Sequence, residues 1–530
     1  MNKRILTGLF LSVSTLTYAQ DNAAKYAETI TPADLKKHLV IIASDSLEGR
    51  DTGSPGQKKA AEYVVKHFKE YGLQPIATAA DGSKSFLQKY TLYKRGFGEV
   101  YVKAGNKTYG FNKDFYLNGI LDIPQELSTP VVLAGFGIQE AAYNDYANLD
   151  VKDKAVLVFE GEPKLKNGKF LLSGSDEKSK WTGPVAWQNK AKLALEKGAK
   201  YVLVITDKTG EDLDKEIRQR TVMARRYSAL TLNPVVESPN KVATFVVTPD
   251  MAAQIMNTTA SKLLKEKADI EKNGAPLSKT VKGNVTLKVE RKTETVETEN
   301  VAAFLEGTDK KDEVLVISAH LDHIGISPNG EINNGADDDG SGTVSLLELA
   351  EAFGKAKAEG KGPRRSILFL NVTGEEKGLF GSEFYSENPL LPLKNTIANL
   401  NIDMIGRVDE AHKDDHKYVY LIGSDKLSSQ LHAVSEEANK KYVNYNLDYR
   451  FNDPKDPNRF YYRSDHYNFA KKGVPVIFYF TGVHEDYHRP GDDVEKILFD
   501  KQSGIVKLVF HTAWELVNRD ERIIVDSNKE

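Results

Sequence analysis

The sequence predicts an α/β fold, a mostly parallel central sheet flanked by helices with a small α/β module inserted, and three observations predict it. Beyond about Asn300, short apolar runs alternate with longer amphipathic stretches, the order that a parallel sheet covered by helices produces. The short runs are rich in Val, Ile and Leu, as expected for strands buried on both faces. Each run ends in a loop of polar residues, and sites form at the carboxyl ends of strands in such sheets.

The elements follow in chain order. Thr31-Pro32 with Asp34 reads as a helix start, Thr31 as the cap and Pro32 at the first helical position. From Gly56 to Tyr71, Ala61, Val64, Val65, Phe68 and Tyr71 fall at helical spacing and Gly72 supplies the stop. Residues 131–136, 155–159 and 201–206 read as short strands, with one helix near 190–197 and a charged stretch over 208–226. Later strands are expected over 314–319, 367–372, 400–402 and 474–480, with a helix over 341–353. The expected domains are 25–115 and 255–525 of a catalytic domain, interrupted by a 120–250 insert.

Composition narrows the chemistry. The chain has 530 residues, 72 Lys plus Arg against 75 Asp plus Glu, and a net charge of −3. A near-neutral balance leaves no basic footprint for nucleic acid. The absence of cysteine removes thiolate catalysis, disulfides and sulfur-ligated metal sites, so any metal must be held by carboxylates and the 11 histidines. Lys3 and Arg4, the apolar residues 5–16 and Thr17-Tyr18-Ala19 read as an export signal over 1–19, cut after Ala19, for a periplasmic or secreted protein. The apolar stretch is shorter than the ~20 residues that a membrane span needs, and no cysteine is available for a lipid, so no membrane anchor is expected.

Four strand ends carry candidate groups. His320-Leu321-Asp322 follows the strand 314–319, a pairing in which an imidazole can take a metal while a carboxylate steadies it. Gly335 to Gly342 reads GADDDGSG, three acids directly before a helix and more than capping requires. After the strand 367–372 stand Glu375 and Glu376; adjacent side chains diverge, so one can hold a metal while the other handles a proton. Asp403 and His488 complete the set. Imidazoles mixed with carboxylates suit zinc in a two-metal site.

The ordered motifs AHLDH, GADDDGSG, GEEKGLFGS, NIDMIG and DYHRPGDD resemble those of the co-catalytic di-zinc aminopeptidases, the family of bacterial leucyl aminopeptidases and, more distantly, glutamate carboxypeptidases. The resemblance covers about residues 25–115 and 255–520. It implies one zinc on His320 and Asp403, a second on Glu376 and His488, and Asp338 bridging them. Glu375 would be the general base, Asp322 and Asp465 outer acids, and Tyr487 the match to a tyrosine that steadies the oxyanion in some relatives. A cis peptide between Asp338 and Asp339 is also implied. His323, His466 and His484 are expected to stand outside the ligand set. YNDYANLDVKDKAVLVFEG and KAKLALEKGAKYVLVITD resemble a protease-associated domain. The expected activity is removal of amino-terminal residues from peptide substrates; a glutaminyl cyclase, a carboxypeptidase and a catalytically dead binding protein are the alternatives on this fold. The aromatic stretch 442–462, with Tyr445, Tyr449, Phe451, Phe460 and Tyr461, reads either as a pocket wall or as a loop packed on itself.

Overall fold

The structure, a computed structural model, describes residues 22–528 except 120, 184, 227–229 and 235–241, and the side chains of 221–226 are likewise not described. The expected export signal therefore lies outside the described residues. The chain divides into two compact units, one formed by the described residues up to Leu92 together with Thr295 onward, the other by Tyr93–Glu294. The sequence reading had placed the insert within 120–250; the second unit is wider because long strands on both sides of that stretch fold with it.

In the first unit, helix α1 (Pro32–Ile42) starts at the expected cap, with Thr31 Oγ1 accepting the Asp34 N–H at 3.1 Å. Helix α2 (Pro55–Glu70) follows. The sheet then uses the last residues of β1 (Ser278–Leu305), β2 (Lys310–His320), β3 (Arg365–Val372), β4 (Thr396–Ile402), β5 (Tyr418–Ile422), β6 (Asn446–Asp448) and β7 (Val476–Phe480), in the order β6-β5-β7-β4-β2-β3-β1. The four pairings β2–β3, β2–β4, β4–β7 and β5–β6 are parallel, while β5–β7 and β1–β3 are antiparallel. Alternation along the strands feeds two cores. Leu315, Ile317, Ile367 and Phe369 join the core that includes α1, α2, α3 (Gly342–Ala358) and α4 (Phe499–Asn518). Val314, Val316, Leu368 and Leu370 join the opposite one with Tyr385 of Phe380–Glu387 and Phe469 of His466–Ala470.

The second unit has its own parallel core. Strands Ile123–Ala134, Ala155–Phe159, Tyr201–Ile205 and Thr244–Val247 run parallel in that order, and Phe115–Asn118 closes the edge antiparallel. Lys190, on the helix Ala186–Glu196, is fully buried and donates to the carbonyls of Phe136 and Phe159, at 2.6 and 2.7 Å. Among the described residues no helix is long and apolar enough to cross a membrane.

Candidate active site

Parallel strands β2, β3, β4 and β7 deliver their C-terminal ends to one place, and the loops leaving them carry the candidate groups. His320 is the last residue of β2. Its Nδ1 lies 3.0 Å from the Asp322 carbonyl. With Nδ1 donating there, Nε2 keeps a free lone pair and faces Asp338 Oδ1 at 3.3 Å and Asp403 Oδ1 at 3.6 Å. The sequence reading assigned the steadying contact to the Asp322 carboxylate; that group stands 3.9 Å from Nδ1 because it is engaged elsewhere. It accepts from Thr52 Oγ1 at 2.6 Å and from the Glu375 N–H at 3.2 Å, so it sets the loop that carries Glu375.

The acidic turn before α3 divides its labour by geometry. Asp337 Oδ1 accepts the Gly406 N–H at 2.6 Å, and Asp339 accepts the N–H groups of His320 and Gly342 at 3.0 and 2.8 Å. Backbone donors thus occupy the outer two carboxylates. Asp338 is left to face the imidazoles, its Oδ1 towards His320 and its Oδ2 3.2 Å from His488 Nε2. The Asp338–Asp339 peptide is cis, as the resemblance implied.

On the other side, Glu376 Oε2 lies 2.9 Å from His488 Nε2 and Oε1 lies 2.8 Å from His323 Nδ1. Glu375 points into the same pocket, Oε2 4.0 Å from His320 Nε2. Gly374 before it has φ +84°, and a Cβ there would meet Tyr90 Oη at 3.0 Å, so only glycine makes this turn without strain. Met404 and His488 also take positive φ, 54° and 57°; such strained backbone clusters at functional sites.

Burial and mutual charge set the electrostatics. Burial alone would lower His488, but the Asp338 and Glu376 carboxylates that it faces carry it up to about 10. Burial raises the Glu375 carboxyl well above the usual range; His320 opposes this and Glu376 adds to it. Burial likewise pushes Asp465 up to about 7 against the pull of His320. Arg50 is a buried cation beside the site, donating to the carbonyls of Leu321, Asn334 and Gly335 at 2.8, 2.6 and 3.0 Å.

All five expected ligands and Glu375 therefore converge. His323, set aside on sequence grounds, joins them: His323, Asp338 and Glu376 form one cluster able to hold a metal, and His320, Asp339 and Asp403 another. His484 stands apart, with Nε2 3.3 Å from Asp337 Oδ2. His466 is buried and stacked on Phe478 at 4.7 Å. Tyr487 stacks on His488 at 3.9 Å and lines the pocket. The aromatic stretch splits between its two readings: Phe460 walls the pocket, whereas Tyr445 and Tyr449 pack on the first core. Sequence reasoning passed over Arg50, Ser464 and Asp492. Ser464 donates to Asp403 Oδ2 at 2.7 Å, and a serine beside an acid carries no signal until the fold brings it to a strand end.

The donor set fits zinc. Imidazole nitrogens and carboxylate oxygens meet within 4 Å of one another around Asp338, whose buried Oδ2 makes no well-formed hydrogen bond.

Aminopeptidases stand among the known proteins that the chain is similar to. Aminopeptidase Y of Saccharomyces cerevisiae is 28% identical over 230 residues, 41% of this chain and 39% of that one. A probable leucine aminopeptidase of Arthroderma benhamiae is 30% identical over 230 residues, 41% of this chain and 57% of its own. The chain spans about half the length, or less, of these curated relatives. Among solved structures, the aminopeptidase from Aneurinibacillus sp. strain AM-1 is 19% identical, with 96% of this chain and 100% of that one covered at a TM-score of 0.47. His320, Asp338, Glu375, Glu376, Asp403 and His488 all fall within residues 300–513, the stretch that matches the model of peptidase family M28.

Proposed function

We propose that the chain is an exported, zinc-dependent aminopeptidase that holds two zinc ions and removes amino-terminal residues from peptides. The carrying observation is Asp338, whose two oxygens face His320 Nε2 at 3.3 Å and His488 Nε2 at 3.2 Å, as a carboxylate shared by two cations must. His320 and Asp403 would hold one zinc, Glu376 and His488 the other, with His323 beside the second. When bound, zinc supplies Lewis acidity towards water and towards the scissile carbonyl.

The chain's own residues do the remaining work. Glu375, unprotonated while the ions are bound, accepts the proton of the attacking water at Oε2 and passes it to the departing amine. Its backbone N–H is pinned by Asp322, which keeps that carboxylate aimed into the pocket. Tyr487 Oη donates to the oxygen on which negative charge develops. Met404, Phe460, Phe478, Phe480 and Val483 line the same pocket, so apolar side chains gain most by entering it.

Glu375→Gln tests the assignment. It should keep both zinc ions by elemental analysis and lose about 10²–10⁴-fold in kcat on leucyl chromogenic substrates. Near-normal turnover would show that Glu375 is not the base.

A further inference from the structure

Arg463 is the one arginine or lysine among the residues lining the active-site pocket, where it shares the wall with His320, Glu375 and Asp403. Three neighbours hold it at the rim. Ser464, next in the chain, is pinned between Asp403 Oδ2 at 2.7 Å and Asn401 Nδ2 at 2.9 Å. The guanidinium lies 5.0 Å from the Phe460 ring centroid and 3.4 Å, through Nη2, from Tyr487 Oη.

What Arg463 lacks is an acid. Among the described residues its polar contact is that tyrosine, whereas Arg364, Arg365, Arg407 and Arg450 each pair with a carboxylate. The other charged lining groups, His320, Asp338, Glu375 and Asp403, are the ones that the proposed zinc ions and the water would engage, so Arg463 is the charged group left free for the substrate. A planar guanidinium with free donors at the open rim suits a carboxylate.

We propose that Arg463 makes this pocket a reader of substrate carboxylates, and that the preferred substrates are short peptides carrying one just beyond the scissile bond. This rests on the aminopeptidase reading and specifies its substrate class. The carboxylate is either the free terminus of a dipeptide or the acidic side chain of the second residue; the chemistry at Arg463 is the same.

Four substrates separate the sources: Leu-Gly against Leu-Gly-amide, and Leu-Glu-amide against Leu-Gln-amide. The wild type should favour the carboxylate member of at least one pair by about tenfold in kcat/KM, carried by KM and shrinking as salt is raised. In Arg463→Gln that ratio should fall to near one, and Arg463→Lys should restore it in part. Zinc content should be unchanged in both variants. The pair that shows the preference names the source. Equal losses on both members of every pair, carried by kcat, overturn the proposal and assign Arg463 to the reacting carbonyl through Tyr487. Absence of cleavage of all four by the wild type overturns the aminopeptidase reading, and this proposal with it.

Discussion

Asp492 shows how much of this site is held from behind. It is fully buried, and its two oxygens accept the N–H groups of Asp337 at 3.0 and 3.1 Å, and one of them that of Asp338 at 3.0 Å. The acidic turn is thus hung on one carboxylate, which fixes where Asp338 can point. Asp492→Asn replaces one acceptor with an amide that faces N–H donors. Zinc affinity should fall about 10–100-fold, as for other outer supports of metal ligands, while kcat at saturating zinc falls much less. Zinc titration against a competing chelator, with activity measured in parallel, checks this; unchanged affinity would mean that the turn holds itself. The convergence of His320, Glu376, Asp403 and His488 was legible in the sequence because each follows an apolar run. Asp492, Arg50 and Arg463 were not, because their partners are remote in sequence: Arg50 acts on residues 321, 334 and 335. The nearness of His323 to the site was not legible because sequence spacing does not show that Glu376 comes within 2.8 Å of it.

At the scale of elements, α3 illustrates both the reach and the limit of sequence patterns. The sequence predicts a helix here, with its end expected at residue 353. The helix runs on to Ala358 because Gly354 serves packing: a Cβ there would meet the Tyr71 carbonyl oxygen at 2.5 Å. Strand β5 escaped notice because YVYLI is a short buried run without helical or alternating period, and its antiparallel pairing with β7 breaks the strand–helix rhythm that revealed the others. Where α1, α2 and α3 meet, the packing buries a polar group. Glu348 lies 3.7 Å from His38 Nε2, and His38 also contacts Tyr63 Oη at 2.8 Å and Tyr71 Oη at 3.2 Å. Burial pushes Glu348 up to about 8, helped by Glu351 and Asp34; burial with His67 and Lys37 pushes His38 down to about 4, so His38 supplies no charge near neutrality. The raised Glu348 value means that the folded chain binds a proton that the unfolded chain releases above about 4.5. Its stabilising effect is complete below that pH and is lost as pH rises towards 8, with a slope of at most about 1.4 kcal/mol per pH unit. Glu348→Gln should flatten this part of the profile, its melting temperature gaining on the wild type from pH 5 to 8 and by a constant amount beyond. Parallel profiles for the two proteins would show that Glu348 is solvated as an ordinary carboxylate.

For the whole molecule, a net charge of −3 conceals a very uneven distribution. Asp322, Asp337, Asp338, Asp339, Asp403 and Asp465 are all buried in the first unit around one centre, with Glu375 and Glu376 beside them. Arg50 is the buried guanidinium among these acids and cannot offset so many. Uncompensated buried carboxylates cost stability or take up protons, as the raised values of Asp339 and Asp465 show. Two divalent cations, as proposed, would remove that conflict, so the first unit should be tighter with zinc than without it. The gain follows the ratio of free zinc to its dissociation constant, about 2.7 kcal/mol at a hundredfold excess. Its location is as informative as its size, because every candidate ligand lies in the first unit and none among the described residues of 93–294. Hydrogen exchange on chelator-treated protein, with and without added zinc, should show slower exchange in peptides spanning β2, β3, β4 and the turn 336–341. Peptides from the strands Ala155–Phe159 and Tyr201–Ile205 should exchange at the same rate in both conditions. Equal protection of the first unit with and without zinc would leave its buried acids balanced by protons rather than by metal, and the two-zinc centre would have to be given up.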